Sequence, residues 1–260
     1  MDTLHIARRD ILIAASLLIA RPAAAAAPER LSPLVELRQY TCHKGGRDKL
    51  IALFEQEFIA PQDALGARVI GVFRDADDPD RFVWLRGFES MEARKTALTA
   101  FYGGPVWKAH RQAANATMLD SDNVLLLHPS PTGGGFAPAA GGQAGDVIAF
   151  IHYLDDALLA PFAADFETRM RPQVAAAGAT ILAAFASETS ANTFPALPIR
   201  ERDRVFVWFA RTPAGGGGRF LQAWRARSGW RDGAPEALLP AFMRKPEVLR
   251  LQPTARSPLR

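Results

Sequence analysis

The chain has 260 residues, 48% hydrophobic and 22% charged, with a formal net charge of +4. That composition supports a sizeable packed core and excludes a disordered or coiled-coil chain. Its one cysteine, Cys42, rules out an intramolecular disulfide and thiolate metal sites, no His-Glu-x-x-His spacing replaces them, and no basic run tracks nucleic acid.

Arg8-Arg9-Asp10-Ile11-Leu12-Ile13 opens an apolar run to Ala20, followed by Arg21-Pro22 and the small residues Ala23 to Ala27. This is the order of a signal peptide, and the run is too short to span a bilayer well. The paired arginines with hydrophobic residues just beyond them resemble a twin-arginine export signal. Residues 1–27 are therefore expected to be cleaved, leaving a periplasmic or secreted protein with no stable membrane span. An uncleaved anchoring helix is the alternative.

Beyond the signal, Val35 to Thr41 alternates as a strand, and Arg47 to Leu65 carries Leu50, Leu53, Phe54, Phe58 and Ile59 at helical spacing, with Pro61 expected to bend or end the helix. Val69 to Arg74 and Arg81 to Phe88 read as a hairpin across Asp75-Ala76-Asp77-Asp78-Pro79. Ser90 caps a helix from Met91, Gly103-Gly104-Pro105 breaks it, Val106 to Asn115 restarts it, and Asp122 to Leu127 is the last strand. Strand, helix, strand, strand, helix, strand is the ferredoxin-like order.

That order occurs twice. Asp80-Arg81-Phe82-Val83-Trp84 returns as Asp203-Arg204-Val205-Phe206-Val207-Trp208, and Trp84 and Trp208 lie 124 positions apart, as do Pro129 and Pro253. Upstream, Leu37-Arg38-Gln39-Tyr40 is set against Phe150-Ile151-His152-Tyr153, and the shrinking offset marks an insertion over Ser187 to Arg202. The second copy supplies strand Val147 to Tyr153, helix Ala160 to Gly178, a hairpin of Thr180 to Ser187 with Arg204 to Arg211, helix Phe220 to Ser228 and strand Val248 to Leu251. The expected fold is α+β: two tandem ferredoxin-like βαββαβ repeats, at 34–129 and 146–253, joined by a Gly/Pro/Ala-rich linker at 130–145. Each four-stranded sheet has a face that its helices leave bare, and two fused copies can close those faces into an intrachain barrel.

Val35-Glu36-Leu37-Arg38-Gln39-Tyr40, Gly71-Val72-Phe73-Arg74-Asp75, Asp80 to Phe88 and Phe101-Tyr102-Gly103-Gly104-Pro105-Val106-Trp107-Lys108-Ala109-His110-Arg111 resemble the NIPSNAP family. The resemblance implies a dimeric α/β-barrel fold, shared with cofactor-independent monooxygenases and haem-binding relatives, and implies no established reaction. The second copy lacks the Tyr-Gly-Gly-Pro-Val-Trp-Lys motif.

Arg38, Tyr40, Trp84 and Arg86 share the phase of their strands and are expected to line the barrel interior as ligand-binding residues. Glu36, in phase with Arg38, is the favoured internal partner for these buried arginines, ahead of an acidic substrate. Tyr102, Trp107 and Arg111 join the candidate binding set, with Arg111 placed to stack on Trp107 four residues away. His110 is the candidate proton carrier. No metal ligands and no cofactor are expected, with haem on a lone histidine as the alternative. Gly215 to Gly218 lacks the Lys-Ser/Thr of a phosphate loop.

The functional expectation is a small apolar or aromatic molecule bound in a barrel cavity, with a cofactor-independent monooxygenase or isomerase, or an interaction module with a filled barrel, as alternatives. Self-association through edge strands is left open. Mass spectrometry of periplasmic material is expected to find a chain beginning near Pro28; recovery of Met1 there would overturn the export reading.

Overall fold

A computed structural model describes residues 32–131, 134–137, 144–227, 229–231 and 234–260. The expected signal peptide, half of the linker and Ser228 lie outside the described residues.

The first repeat runs β1 (Leu34–Cys42), α1 (Arg47–Leu53), α2 (Ile59–Ala64), β2 (Arg68–Asp75), β3 (Arg81–Phe88), α3 (Met91–Gly103), α4 (Pro105–Asn115) and β4 (Met118–Pro129). The second runs β5 (Gly145–Leu154), α5 (Leu159–Asp165), α6 (Arg171–Ala176), β6 (Thr180–Ser187), β7 (Val205–Pro213), α7 (Gly217–Arg225), the two-residue strands β8 (Trp230–Arg231) and β9 (Ala234–Pro235), and β10 (Phe242–Pro253). A β8–β9 hairpin and a 3-10 turn, Glu236–Ala241, therefore stand where the first repeat has α4.

Pro61 does not end its helix. A π turn, Phe54–Phe58, joins α1 to α2, and another, Phe166–Met170, joins α5 to α6 just before Pro172. The widened turn in each repeat accommodates a proline that can neither donate to the preceding turn nor clear its carbonyl.

The eight long strands close into one barrel in the order β1-β3-β2-β10-β5-β7-β6-β4, every neighbouring pair antiparallel. The two sheets join through β2–β10 and β4–β6, so each repeat offers its second and fourth strands to the other. Closure removes the sheet edges that would otherwise be open to pairing.

Strand alternation then divides the side chains. Val35, Leu37, Val83, Leu85, Phe209 and Leu249 belong to the inner cluster, whose members are almost all fully buried. The interior is thus a filled core. Phe136 from the linker region closes one end against Phe185 and Phe209, with ring centroids 5.2 and 5.1 Å away. The C-terminal residues close the same end: Leu259 N–H donates to Ile70 O, and Ser257 Oγ accepts from Val72 N–H. Gly71 lies at the bulge they cover, where a Cβ would come within 2.4 Å of the Phe73 ring. A cavity of about 50 Å3 remains there, bounded by Val35, Ile70, Phe136 and Leu259, enough for a few waters at most.

The outer faces pack against helices. In the second repeat Phe150, Trp208, Phe162, Phe166 and Trp224 share one cluster. Tyr153 points inward and His152 outward under the helices. Trp208 Nε1 donates to His152 Nε2 at 3.0 Å, and burial holds the imidazole neutral, its pKa lowered to about 3. Cys42 is likewise buried, and burial pushes its thiol up to about 11.

Because the unfolded chain binds a proton at His152 near pH 6.5 and the folded chain does not, this group's contribution to stability is full above 6.5 and lost as pH falls toward 3. Urea unfolding between pH 6.5 and 4.5 is expected to show a component of about 1.4 kcal/mol per pH unit that His152→Gln removes; an unchanged slope in the variant would contradict it.

Candidate functional site

The register of the barrel aligns the repeats residue by residue. Glu36, Arg38 and Tyr40 on β1 stand opposite Arg86, Trp84 and Phe82 on β3. In the second repeat Ile148, Phe150 and His152 stand opposite Ala210, Trp208 and Phe206. Arg38 therefore corresponds to Phe150 and Tyr40 to His152, one position away from the match that sequence alone suggests.

Arg38, Tyr40, Trp84 and Arg86 do not line the barrel interior. They occupy the opposite face of β1 and β3, beneath the helices, while Val35, Leu37, Val83 and Leu85 fill the barrel. Alternation reveals which residues share a face, and only closure decides which face is inside.

On that face one carboxylate gathers three guanidiniums. Glu36 Oε2 accepts from Arg38 Nη1 at 2.8 Å and from Arg86 Nε at 2.7 Å, and Glu36 Oε1 accepts from Arg94 Nε at 2.5 Å. All four side chains are 0% exposed. Burial works to raise the Glu36 carboxyl, but Arg86, Arg38 and Arg94 outweigh it and hold it well below the usual carboxylate range.

Further bonds fix the fork of each arginine. Arg38 Nε donates to Tyr40 Oη at 2.8 Å, Arg86 Nη1 to Gln62 Oε1 at 2.9 Å, and Arg94 Nη1 to Asn192 Oδ1 at 2.9 Å. The guanidiniums of Arg86 and Arg38 lie 5.0 and 5.6 Å from the Trp84 ring centroid, within cation–π range. Burial raises the Tyr40 phenol above its ordinary pKa, so it keeps its proton.

Arg94 reaches the cluster from the first turn of α3, which Ser90 caps by accepting from Ala93 N–H. Asn192 belongs to the insertion between β6 and β7. Thr193 Oγ1 donates to Met91 O, and Phe194 stacks on Tyr102 with centroids 6.0 Å apart. A segment of the second repeat thus covers the site of the first.

Residues 35–132 match the NIPSNAP family model. The first repeat is a NIPSNAP domain. Among solved structures, an anthrone oxidase-like protein is similar to this chain with a TM-score of 0.57, 14% identity and coverage of 88% of this chain and 94% of its own. Monooxygenase-like proteins of Lactobacillus acidophilus (TM-score 0.53, 14% identity, coverage 85% and 94%) and Fusobacterium nucleatum (0.54, 7%, 86% and 93%) are similar over the same extent. At these identities the likeness establishes the dimeric α/β-barrel fold. No curated protein is matched by the sequence.

The NIPSNAP motif around Gly103-Gly104-Pro105 packs beside the charged cluster rather than into the barrel. Trp107 meets Tyr102 edge-on at 4.9 Å and also contacts Phe58 and Phe101. His110 is about one-third exposed and pairs with Glu57 at 3.4 Å, so none of its contacts reaches the arginines. Arg111 is exposed, and no cation–π contact joins it to Trp107 among the described residues. Among the described residues no group of three or more His, Cys, Asp or Glu side chains is placed to hold a metal ion, and no helix is long and apolar enough to cross a membrane.

Arg94, Gln62 and Asn192 were not expected in the site. Arg94 carried a usable signal: with Ala97, Leu98 and Phe101 it is the buried face of α3, the spacing that Gly217, Phe220, Leu221 and Trp224 repeat in α7. This matches Arg94 to Gly217, whose Cβ would lie 3.0 Å from Ile148, the counterpart of Glu36. Glu36, Arg38, Arg86 and Arg94 are thus replaced together by Ile148, Phe150, Ala210 and Gly217.

Removing one partner of a buried ion cluster strands the others, whereas removing all of them does not. Glu36→Gln is expected to cost about 3–5 kcal/mol in urea unfolding, with the variant Glu36→Ile, Arg38→Phe, Arg86→Ala and Arg94→Gly losing less than the sum of its single changes. Additive losses would show that the four side chains do not act as a unit.

Proposed function

We propose that this protein binds one small molecule with an apolar or aromatic body between the sheet and helices of its NIPSNAP repeat, over the Glu36–Arg38–Arg86–Arg94 cluster. The observation that carries this reading is the asymmetry of the repeats. In the second, Phe150 lies flat on Trp208 at 4.3 Å with the planes 5° apart, filling the position that Arg38 takes over Trp84. One repeat has its outer face filled with rings; the other keeps a buried polar cluster floored by Tyr40 and Trp84 and bordered by Phe58, Phe101, Tyr102 and Trp107. A fold needed only for its packing gains little from such a cluster, because buried ion pairs rarely stabilise more than apolar residues of similar volume.

A second reading, oxidation of the bound molecule without a cofactor, draws on the fold likeness to the anthrone oxidase-like and monooxygenase-like proteins. In that reading the proton carrier is Tyr40 in preference to His110, since Tyr40 is bonded to Arg38 inside the cluster. If residues 1–27 act as an export signal, the molecule bound is one met in the periplasm or outside the cell.

Calorimetric titration of the purified chain with a panel of neutral and acidic aromatic compounds, anthrone among them, is expected to give saturable binding at one equivalent per chain, the second repeat being filled. Oxygen uptake during titration would favour the oxidation reading. No saturable binding by any compound would overturn the proposal in favour of an interaction module.

A further inference from the structure

We infer that the bound molecule presents an anionic group, a carboxylate or its equivalent, to Arg38, Arg86 and Arg94. This deepens the small-molecule reading and rests on it.

Arg38, Arg86 and Arg94 each leave Nη2 buried without an acceptor, and the indole Nε1 of Trp84 beneath them is also buried and unpaired. Tyr40 Oη accepts from Arg38, and its own proton has no acceptor among the described residues. Every polar atom left over at this cluster is a donor. A neutral hydroxyl or amide would bring protons of its own; a carboxylate brings only acceptors, two oxygens with about four lone-pair directions.

Charge leads to the same class of ligand. Three guanidiniums face the single carboxylate of Glu36, so two positive charges stay uncompensated within a layer of 0% exposed side chains. Uncompensated buried charge is costly, and a buried guanidinium does not relieve the cost by losing its proton. One ligand carboxylate halves the excess and meets open donors on planar forks suited to it.

The second repeat shows how this fold behaves when no such ligand is needed. Trp208, the counterpart of Trp84, donates its Nε1 to His152 Nε2, and the four charged positions hold Ile148, Phe150, Ala210 and Gly217. The indole finds its acceptor within the chain, and no charge is buried at those positions. In the first repeat Tyr40 replaces that histidine and turns its oxygen toward Arg38, so an acceptor for Trp84 has to arrive with a ligand.

The test compares two probes of one shape, 1-naphthoate and the neutral 1-naphthamide, by calorimetry on the full chain in low-chloride buffer. Naphthoate is expected to bind about tenfold or more tightly than the amide, and Arg94→Met to erase most of that preference. Equal affinities would overturn the anionic assignment while leaving the small-molecule reading in place. Failure of both probes, and of the neutral and acidic panel above, would remove both. Should Arg94→Met fail to fold, the variant carrying the four residues of the second repeat makes the same comparison, and the wild-type preference decides the assignment by itself.

Discussion

Closure of the barrel is the constraint on which the rest of this structure depends. Each repeat builds a four-stranded sheet that is apolar on both faces, and helices cover only one of them. Pairing β2 with β10 and β4 with β6 turns the two bare faces inward, where Leu37, Leu85, Ile151 and Leu249 pack into one core. Once the interior is filled, no side chain on the outer strand face can reach water through it. Polar side chains on the outer strand face must therefore be accommodated in the layer beneath the helices, where burial is nearly complete and every donor or charge needs a partner.

That accommodation differs between the repeats, and the difference is informative because the strand register at these positions is the same. Partial loss of a Glu–Arg cluster leaves stranded charges, so a duplicated domain can lose it cheaply only as a set. The set present in the second repeat, Ile148, Phe150, Ala210 and Gly217, is a complete apolar replacement, with the Phe150–Trp208 stack in place of the Arg38–Trp84 contact. One repeat thereby supplies half of the barrel and its stability. The other keeps three guanidiniums and one carboxylate buried together, a local cost that packing alone does not require.

Much of the architecture was legible in the sequence because it rests on short-range signals: the constant offset between Trp84 and Trp208, strand alternation, the Ser90 cap and the Gly-Gly-Pro break. Even the phase of Glu36, Arg38, Tyr40, Trp84 and Arg86 was readable. Which face is interior was not, since both faces are apolar and only the partner sheet decides. The one-residue shift between Arg38 and Phe150 escaped for a related reason, because Tyr40 and Tyr153 are alike in sequence but lie on opposite faces of their strands. Arg94 and Asn192 come from a helix 58 positions beyond Glu36 and an insertion 98 positions beyond Arg94, contacts that no local pattern encodes. Tyr102 and Trp107 of the Tyr102–Arg111 motif pack against the aromatic cluster that holds Tyr40 and Trp84, whereas His110 pairs with Glu57 and Arg111 is exposed.

The insertion shows why fusion of the two repeats matters to the site. In sequence it belongs to the β6–β7 connection of the second repeat, yet β6 pairs with β4, so the insertion leaves the barrel beside the first. Glu188 N–H donates to Leu126 O and Arg200 N–H to Val124 O as the segment runs along β4, and Phe194, Leu197 and Ile199 pack over Leu98 and Phe88. A symmetric homodimer of such domains would place the same insertion over both halves. A single chain is free of that symmetry: one repeat can give up its site, fill it with aromatic rings and use a loop of its own to supply Asn192 to Arg94 in the other. The asymmetry of the charged cluster and the position of the insertion are both open to a chain that carries the two halves of the barrel in one polypeptide, and both are closed to a symmetric pair.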